Sequence, residues 1–455
     1  MVSRKQKASP RDEQRRISTS RANRTLKAAA ISARLATAAI KSRAADVMER
    51  HFRASADSTE SRMAASVLES MGEMKGLVMK LGQVLSYVDL NLVPGLREVL
   101  AGLQDSAPPM SPEVSEQVII EDLGTPPAEF FARWARRPFA SASIGQVHRG
   151  QMHDGTEVAV KVQYPEIAAA LEADLRNVSV LQLLASGFNR AVDRGALLAE
   201  LHDRLLEECD YLREAAYQRE FHAFYKDHPY IVVPEVISEY STRRVLISKL
   251  IKGRRFKEFA SNASQRERNH AGEIIHEFIF RSIFQYGIFN CDPHPGNYLF
   301  LSQGQVAFLD FGCVKRLPPD LIVKWRALIR AALERDRSRF DQLTAQIGFV
   351  GNRASFDFDY NWHMFMYFYR PFIHDRPFKF THEYAAESFA NLLFNNKNRR
   401  SFNIPKDTVF LNRLQWGMYS VLAELGAETN WRRLILPFLY AGEPLPQPYP
   451  NGTFE

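Results

Sequence analysis

The sequence predicts an α+β protein of two lobes, a small β-rich lobe and then a large helical one, with a helical extension ahead of both. Three observations carry this expectation. A hairpin signal at Asp154-Gly155 joins two strand-like runs. Helical pattern predominates after Gly253. Proline breaks at Pro94, Pro108, Pro109 and Pro112 set the front of the chain apart from the β-rich stretch.

The elements follow in order. Residues 1–55 form a basic arm, flexible at least to residue 25. Residues 56–130 form the helical extension: Ala, Leu and Met content favours helix from Leu26 to about Glu73, a further helix runs from Met63 to Val88, and Pro94-Gly95 breaks it. Another helix is expected after Pro112. Residues 131–252 form the small lobe. In it Ile144 to Gln151 and Glu157 to Val162 flank the turn, and Val158, Val160 and Val162 alternate as a half-buried strand requires. A long helix is expected from Ala196 to Tyr225, then strand-like runs from Tyr230 to Val236 and Arg244 to Leu250. Pro234 makes the first an edge strand or a short one. Residues 253–455 form the helical lobe, interrupted by a hairpin of Tyr298 to Leu301 and Gln305 to Leu309 through Gly304.

Composition excludes several classes. The chain has 455 residues, 45% hydrophobic and 24% charged, which suits a globular protein rather than a disordered one. The net charge of +7 is concentrated at the front: residues 1–50 hold 13 Lys/Arg and 4 Asp/Glu, so the rest is close to neutral. The basic arm reads as a solvated terminus, and no nucleic-acid partner is expected. Three cysteines, Cys209, Cys291 and Cys313, are too few for a disulfide framework. No apolar run is long enough to span a membrane, and the start lacks the apolar core of a signal peptide. The expected location is the cytoplasm or a membrane surface. An Arg-, Ser- and Ala-rich start suits mitochondrial targeting, but Asp12 and Glu13 count against it.

The chemistry concentrates in four residues. In Asp292-Pro-His-Pro-Gly-Asn297 the Asp and Asn stand five apart, the spacing of a kinase catalytic loop with Asp as base and Asn as metal ligand. Asp310-Phe311-Gly312 follows, and its Asp holds the metal that bridges ATP phosphates. Upstream, Val158-Ala-Val-Lys161 presents the phosphate-binding lysine. The fold class sharpens to a bilobal protein-kinase-like fold with bound ATP and Mg²⁺. Lys161 needs an acidic partner. On one regular helix Asp210 and Glu214 share a face while Glu208 points about 120° from Glu214; Glu214 is therefore the partner expected for Lys161. One kinase part is altered: the phosphate-covering hairpin reads Ala140-Ser141-Ala142-Ser143, without its glycines.

This combination resembles the UbiB/AarF-domain family, the ADCK-type atypical kinases, from about Gly72 to about Leu317. Ala140-Ser-Ala-Ser-Ile-Gly-Gln-Val-His148 is similar to the family's loop, Lys80-Leu-Gly-Gln83 to its KxGQ motif, Glu208-Cys-Asp210 to its ExD motif, and Asp292 to Asn297 to its catalytic loop. The resemblance implies that Lys80 and Gln83 lie on an extension covering the peptide cleft. Glu208 and Asp210 would face that extension, with Lys80 the partner of Glu208. It implies ATP hydrolysis in support of isoprenoid lipid metabolism, ubiquinone-type above all. A lipid or isoprenoid-quinone precursor is then an expected partner, with peripheral membrane contact. Asn290 departs from the family's usual His, and Lys249 and Lys252 replace common acidic residues in the hinge run.

The sequence supports an ATPase or small-molecule kinase, then a nucleotide-gated pseudokinase scaffold, and last a protein kinase. Twelve aromatics between Phe356 and Tyr384 read as core rather than as a lipid pocket. Cys291 and Cys313 read as small buried hydrophobes rather than redox sensors.

Overall fold

The computed structural model describes residues 110–142, 144–165, 209–393 and 395–450. The expected helices between residues 26 and 88, and with them Lys80, Gln83, Ser143 and Glu208, lie outside the described residues. The chain divides into two units, and one crossing between them falls between Ala215 and Ala216. Described residues up to 215 and residues 236–250 belong to the first, and the rest to the second.

The first unit is a sheet with a helix packed on it. Its strands are β1 (Arg133–Trp134), β2 (Ala140–Ala142), β3 (Gly145–Gln151), β4 (Glu157–Gln163) and β6 (Val245–Lys249). The path β1-β3-β4-β6 is antiparallel throughout, and β2 pairs with β3. The β3–β4 turn is the one the sequence predicts. Gly155 takes φ +90°, a left-handed conformation that favours glycine, and Asp154 Oδ1 accepts the Thr156 amide at 2.8 Å. Val158, Val160 and Val162 are all fully buried, so β4 turns one whole face to the core.

Helix α1 (Pro112–Leu123) packs on this sheet through Val118 and Ile119. Its end is fastened by charge: Arg244 donates to Asp122 and Glu121, and Thr242 donates to Asp122.

Helix α3 (Tyr211–Tyr225) follows the short α2 (Pro127–Phe130) in order. The sequence predicts one long helix from Ala196 to Tyr225. Instead Cys209 and Asp210 are non-helical, and the helix starts at Tyr211. The Asp210 side chain competes for backbone donors, its Oδ1 accepting the Leu212 amide at 3.0 Å. The face-sharing of Asp210 and Glu214 on one helix therefore does not hold.

The second unit is mostly helical around one large apolar core. Strands β5 (Ile231–Val232), β7 (Arg254–Arg255), β9 (Tyr298–Phe300) and β10 (Val306–Phe308) make a small sheet in the order β5-β10-β9-β7. The hairpin at Gly304 is present, with φ +74° at the glycine and Val306 opposite Phe300. A separate two-stranded ladder, β8 (Ile288–Asn290) with β11 (Val314–Arg316), escaped the sequence reading. Three-residue strands carry too little alternation to be seen. The aromatics of 356–384 sit largely in the core, where Trp362, Phe365, Phe368, Tyr369, Phe372, Phe380 and Tyr384 are buried. Among the described residues no helix is long and apolar enough to cross a membrane.

Candidate functional site

In the first unit Lys161 stands on β4 between Val147 of β3 and Leu246 of β6. The strand's valines point to the core, so period-two alternation turns Lys161 to the other face. Its Nζ donates to both carboxylate oxygens of Glu214 at 2.8 Å. The two side chains are 15% and 5% exposed, so the pair is shielded from water. Nζ also lies 5.0 Å from the centre of the Tyr211 ring, within cation–π reach. Helix α3 thus brings two residues of its first turn to one lysine.

Ala140, Ser141 and Ala142 form β2 itself, opposite Val147, Gln146 and Gly145. The glycine that matters closes this hairpin. A Cβ on Gly145 would come within 2.3 Å of the Val162 carbonyl oxygen and 2.8 Å of the Tyr211 hydroxyl oxygen. Only a residue without a side chain lets β3 lie this close to β4. Asp210, besides receiving the Leu212 amide, pairs with exposed Arg243 at 3.3 Å.

The second unit holds the other constellation. Asp292 follows β8, and Asn297 ends a single 3₁₀ turn, Pro295–Asn297. His294 Nδ1 accepts the Gly296 amide at 3.0 Å and starts that turn. The Asn297 amide donates to the Asp292 carboxylate and to its carbonyl, both at 3.1 Å. The Leu309 amide donates to the Asn297 carbonyl at 3.0 Å, which ties this loop to the residue before Asp310. Asp310 Oδ1 accepts the Gly312 amide at 2.9 Å. Phe311 is fully buried with its ring 4.9 Å from Phe221 of α3.

Asn290 links the two loops. Its Oδ1 accepts the Asp292 amide at 2.9 Å, and its Nδ2 donates to the Asp310 carbonyl. The departure from the family's usual His is thus a working hydrogen-bonded link. Cys291 and Cys313 extend the β8–β11 ladder, with the Cys291 amide donating to the Cys313 carbonyl at 2.7 Å. Burial, with Asp292 nearby, pushes the Tyr298 hydroxyl well above its ordinary pKa.

Arg413 was missed. It lies on α4 (Lys406–Leu425), the longest described helix, and its Nη2 donates to Asp292 Oδ1 at 2.6 Å. It stands 121 residues from its partner, and no local pattern signals such a contact.

Lys161 and Glu214 are thus brought together in one unit, and Asp292 and Asn297 in the other. Among the described residues no three His, Cys, Asp or Glu converge on a metal-sized site. A Mg²⁺ held beside substrate phosphates needs only one or two protein oxygens and keeps its waters. Asn297 fits that demand. Its amide nitrogen is committed to Asp292, and its Oδ1 accepts no hydrogen bond among the described residues.

The fold is that of a kinase-like protein. A structure of Mycobacterium tuberculosis Rv3197 in complex with erythromycin superposes with a TM-score of 0.63 at 28% identity, over 89% of this chain and all of that one. The ABC1 atypical kinase-like domain matches residues 102–344, and the chain belongs to that family, the UbiB/AarF group its motifs resemble. Among its relatives are the mitochondrial atypical kinase COQ8 of Saccharomyces cerevisiae, 28% identical over 81% of this chain and 74% of its own length. The mitochondrial atypical kinase COQ8B of Rattus norvegicus is 30% identical over 82% of this chain and 71% of its own.

Proposed function

We propose that this chain binds ATP with Mg²⁺ and cleaves its terminal phosphate in support of isoprenoid-quinone metabolism. The observation that carries the reading is the doubly bonded Lys161–Glu214 pair, with both bonds at 2.8 Å. A lysine held this way presents a fixed positive charge to phosphates. Asp310 and Asn297 would hold the metal, whose part is to neutralise phosphate charge. Asp292 would orient or deprotonate the nucleophile, water or a small acceptor. Ala140, Ser141, Ala142 and Ser143 would lie over the phosphates. Catalysis would then be positioning and charge neutralisation.

The client is proposed to be a lipid or quinone precursor met at a membrane surface, on the strength of family membership. Lys80, Gln83, Glu208 and Asp210 are proposed to form the cover that excludes peptide substrates; this rests on the motifs alone. The assay is Mg²⁺-dependent ATP turnover with and without membranes or quinone-like phenols. Asp310→Asn is expected to abolish it, and equal turnover by both proteins would sink the proposal. The alanine- and serine-rich stretch Ala140-Ser141-Ala142-Ser143, where a kinase has glycines, favours a second reading, a nucleotide-gated scaffold. That reading expects nucleotide-dependent thermal shifts without multiple turnover.

A further inference from the structure

Three contacts of α4 converge on the loops that carry Asp292 and Asp310. Arg413 Nη2 donates to Asp292 Oδ1 at 2.6 Å, and Nη1 lies 3.9 Å from Cys313 Sγ, directly after the Asp310-Phe311-Gly312 turn. The Arg413 side chain is 9% exposed and Asp292 20%. One helical turn on, Gly417 receives the Pro293 ring. A Cβ there would fall 2.1 Å from Pro293 Cγ. The same helix face therefore seats the residue after Asp292 by close packing and grips Asp292 itself by charge.

The other carboxylate oxygen of Asp292 is taken by Asn297 Nδ2 at 3.1 Å. The carboxylate is thus held from two sides, by a neutral amide of its own loop and by a guanidinium from far along the chain. An arginine suits this task because its planar fork reaches two acceptors at once and never loses its charge. A lysine offers the charge without the fork.

We propose that Arg413 is a positioning residue for the reaction. It acts through Asp292, fixing the carboxylate plane and the spacing of the two loops, and does not itself bind ATP. This rests on the ATP-cleaving reading above. Loss of the grip leaves Asp292 on a single amide bond, and a shift of about 1 Å in a reacting group costs on the order of 100-fold in rate.

The test is steady-state Mg-ATP turnover by the full chain as wild type, Arg413→Ala, Arg413→Lys, Asp292→Asn, and the Arg413→Ala/Asp292→Asn double variant. Arg413→Ala should lose on the order of 100-fold in kcat with KM for ATP within about 3-fold, since the loss is confined to the step. Added guanidinium ion should restore part of it, which a purely structural role would not allow. Arg413→Lys, the variant kept in case Ala disturbs folding, should fall between the two. The double variant should be no slower than Asp292→Asn, because both changes remove one device. Losses that multiply in the double variant, or wild-type kcat in Arg413→Ala, would overturn the assignment. A wild-type chain that turns over no ATP would overturn the proposed function first, and this inference with it.

Discussion

Glu214→Gln keeps the shape of the side chain and removes one charge. In the native first unit it leaves the Lys161 ammonium, 15% exposed, facing a neutral amide. Removing one partner of a buried ion pair costs about 3–5 kcal/mol, because the other charge stays desolvated. Residual water contact at Lys161 and the one amide oxygen that Gln retains place the cost near the lower bound, about 3 kcal/mol. That corresponds to a fall in Tm on the order of 6–12 °C. Lys161→Met should cost as much, since it leaves Glu214 in a 5% exposed position without its cation. Replacing both residues by Met, however, removes both desolvation costs and should bring stability back to within about 1 kcal/mol of wild type. The double variant should also lose its thermal response to Mg-ATP entirely. Urea unfolding, with hydrogen exchange of peptides covering β4 as the local reporter, reads all three. Single variants within 0.5 kcal/mol of wild type on the order-of-magnitude scale of surface pairs, or additive costs in the double variant, would refute this account of the pair.

Three further outcomes are expected. Gly145→Ala sets a methyl 2.3 Å from the Val162 carbonyl oxygen, a backbone atom that cannot move alone; it should cost about 1–3 kcal/mol and weaken nucleotide response, read by thermal shift with and without Mg-ATP. Gly417→Ala, with its methyl 2.1 Å from Pro293 Cγ, should displace the Asp292 loop and slow turnover while leaving the Lys161 pair intact; unchanged kcat would contradict the seating of that loop. His276, fully buried among aromatic rings, has its pKa pushed down from 6.5 to about 3 by burial. The unfolded chain takes up a proton below pH 6.5 and the native one does not, so stability is lost as pH falls from 6.5 toward 3. The loss at pH 5 is about 2 kcal/mol. His276→Phe should remove this slope, seen as flatter urea midpoints between pH 7 and 5.

Features written in short stretches were legible. Asp154-Gly155 and Gly304 marked their hairpins because a left-handed glycine is a local demand of the turn. The valine alternation marked the β4 run as a half-buried strand because side-chain period is a property of the strand alone. The start of α3 was not legible. Helix propensity runs smoothly through residues 196–225, and only the Asp210 side chain, turned onto the Leu212 amide, shows where the helix starts. Helix geometry across residues 208–214 points to Glu214 as the lysine's partner, and Glu214 does pair with Lys161, yet the regular helix begins only at Tyr211.

In the second constellation motif spacing was more readable than the contacts around it. Asp292, Asn297 and Asp310 announce themselves through spacing, since one loop and one hairpin fix their separation. At Asn290 the resemblance supplies only the expected residue type, a His. The structure gives Asn290 both a donor and an acceptor task, bridging the Asp292 amide and the Asp310 carbonyl. A neutral imidazole also offers one donor and one acceptor, on opposite sides of a rigid ring. A primary amide offers the same pair from one terminus, so Asn spans two backbone groups that lie close together. Arg413 and Gly417 escaped for the opposite reason. An arginine on an amphipathic helix and a glycine one turn later carry no signal until Asp292 and Pro293 are set against them. The motif therefore names the groups, while a contact that holds Asp292 comes from a helix more than a hundred residues away.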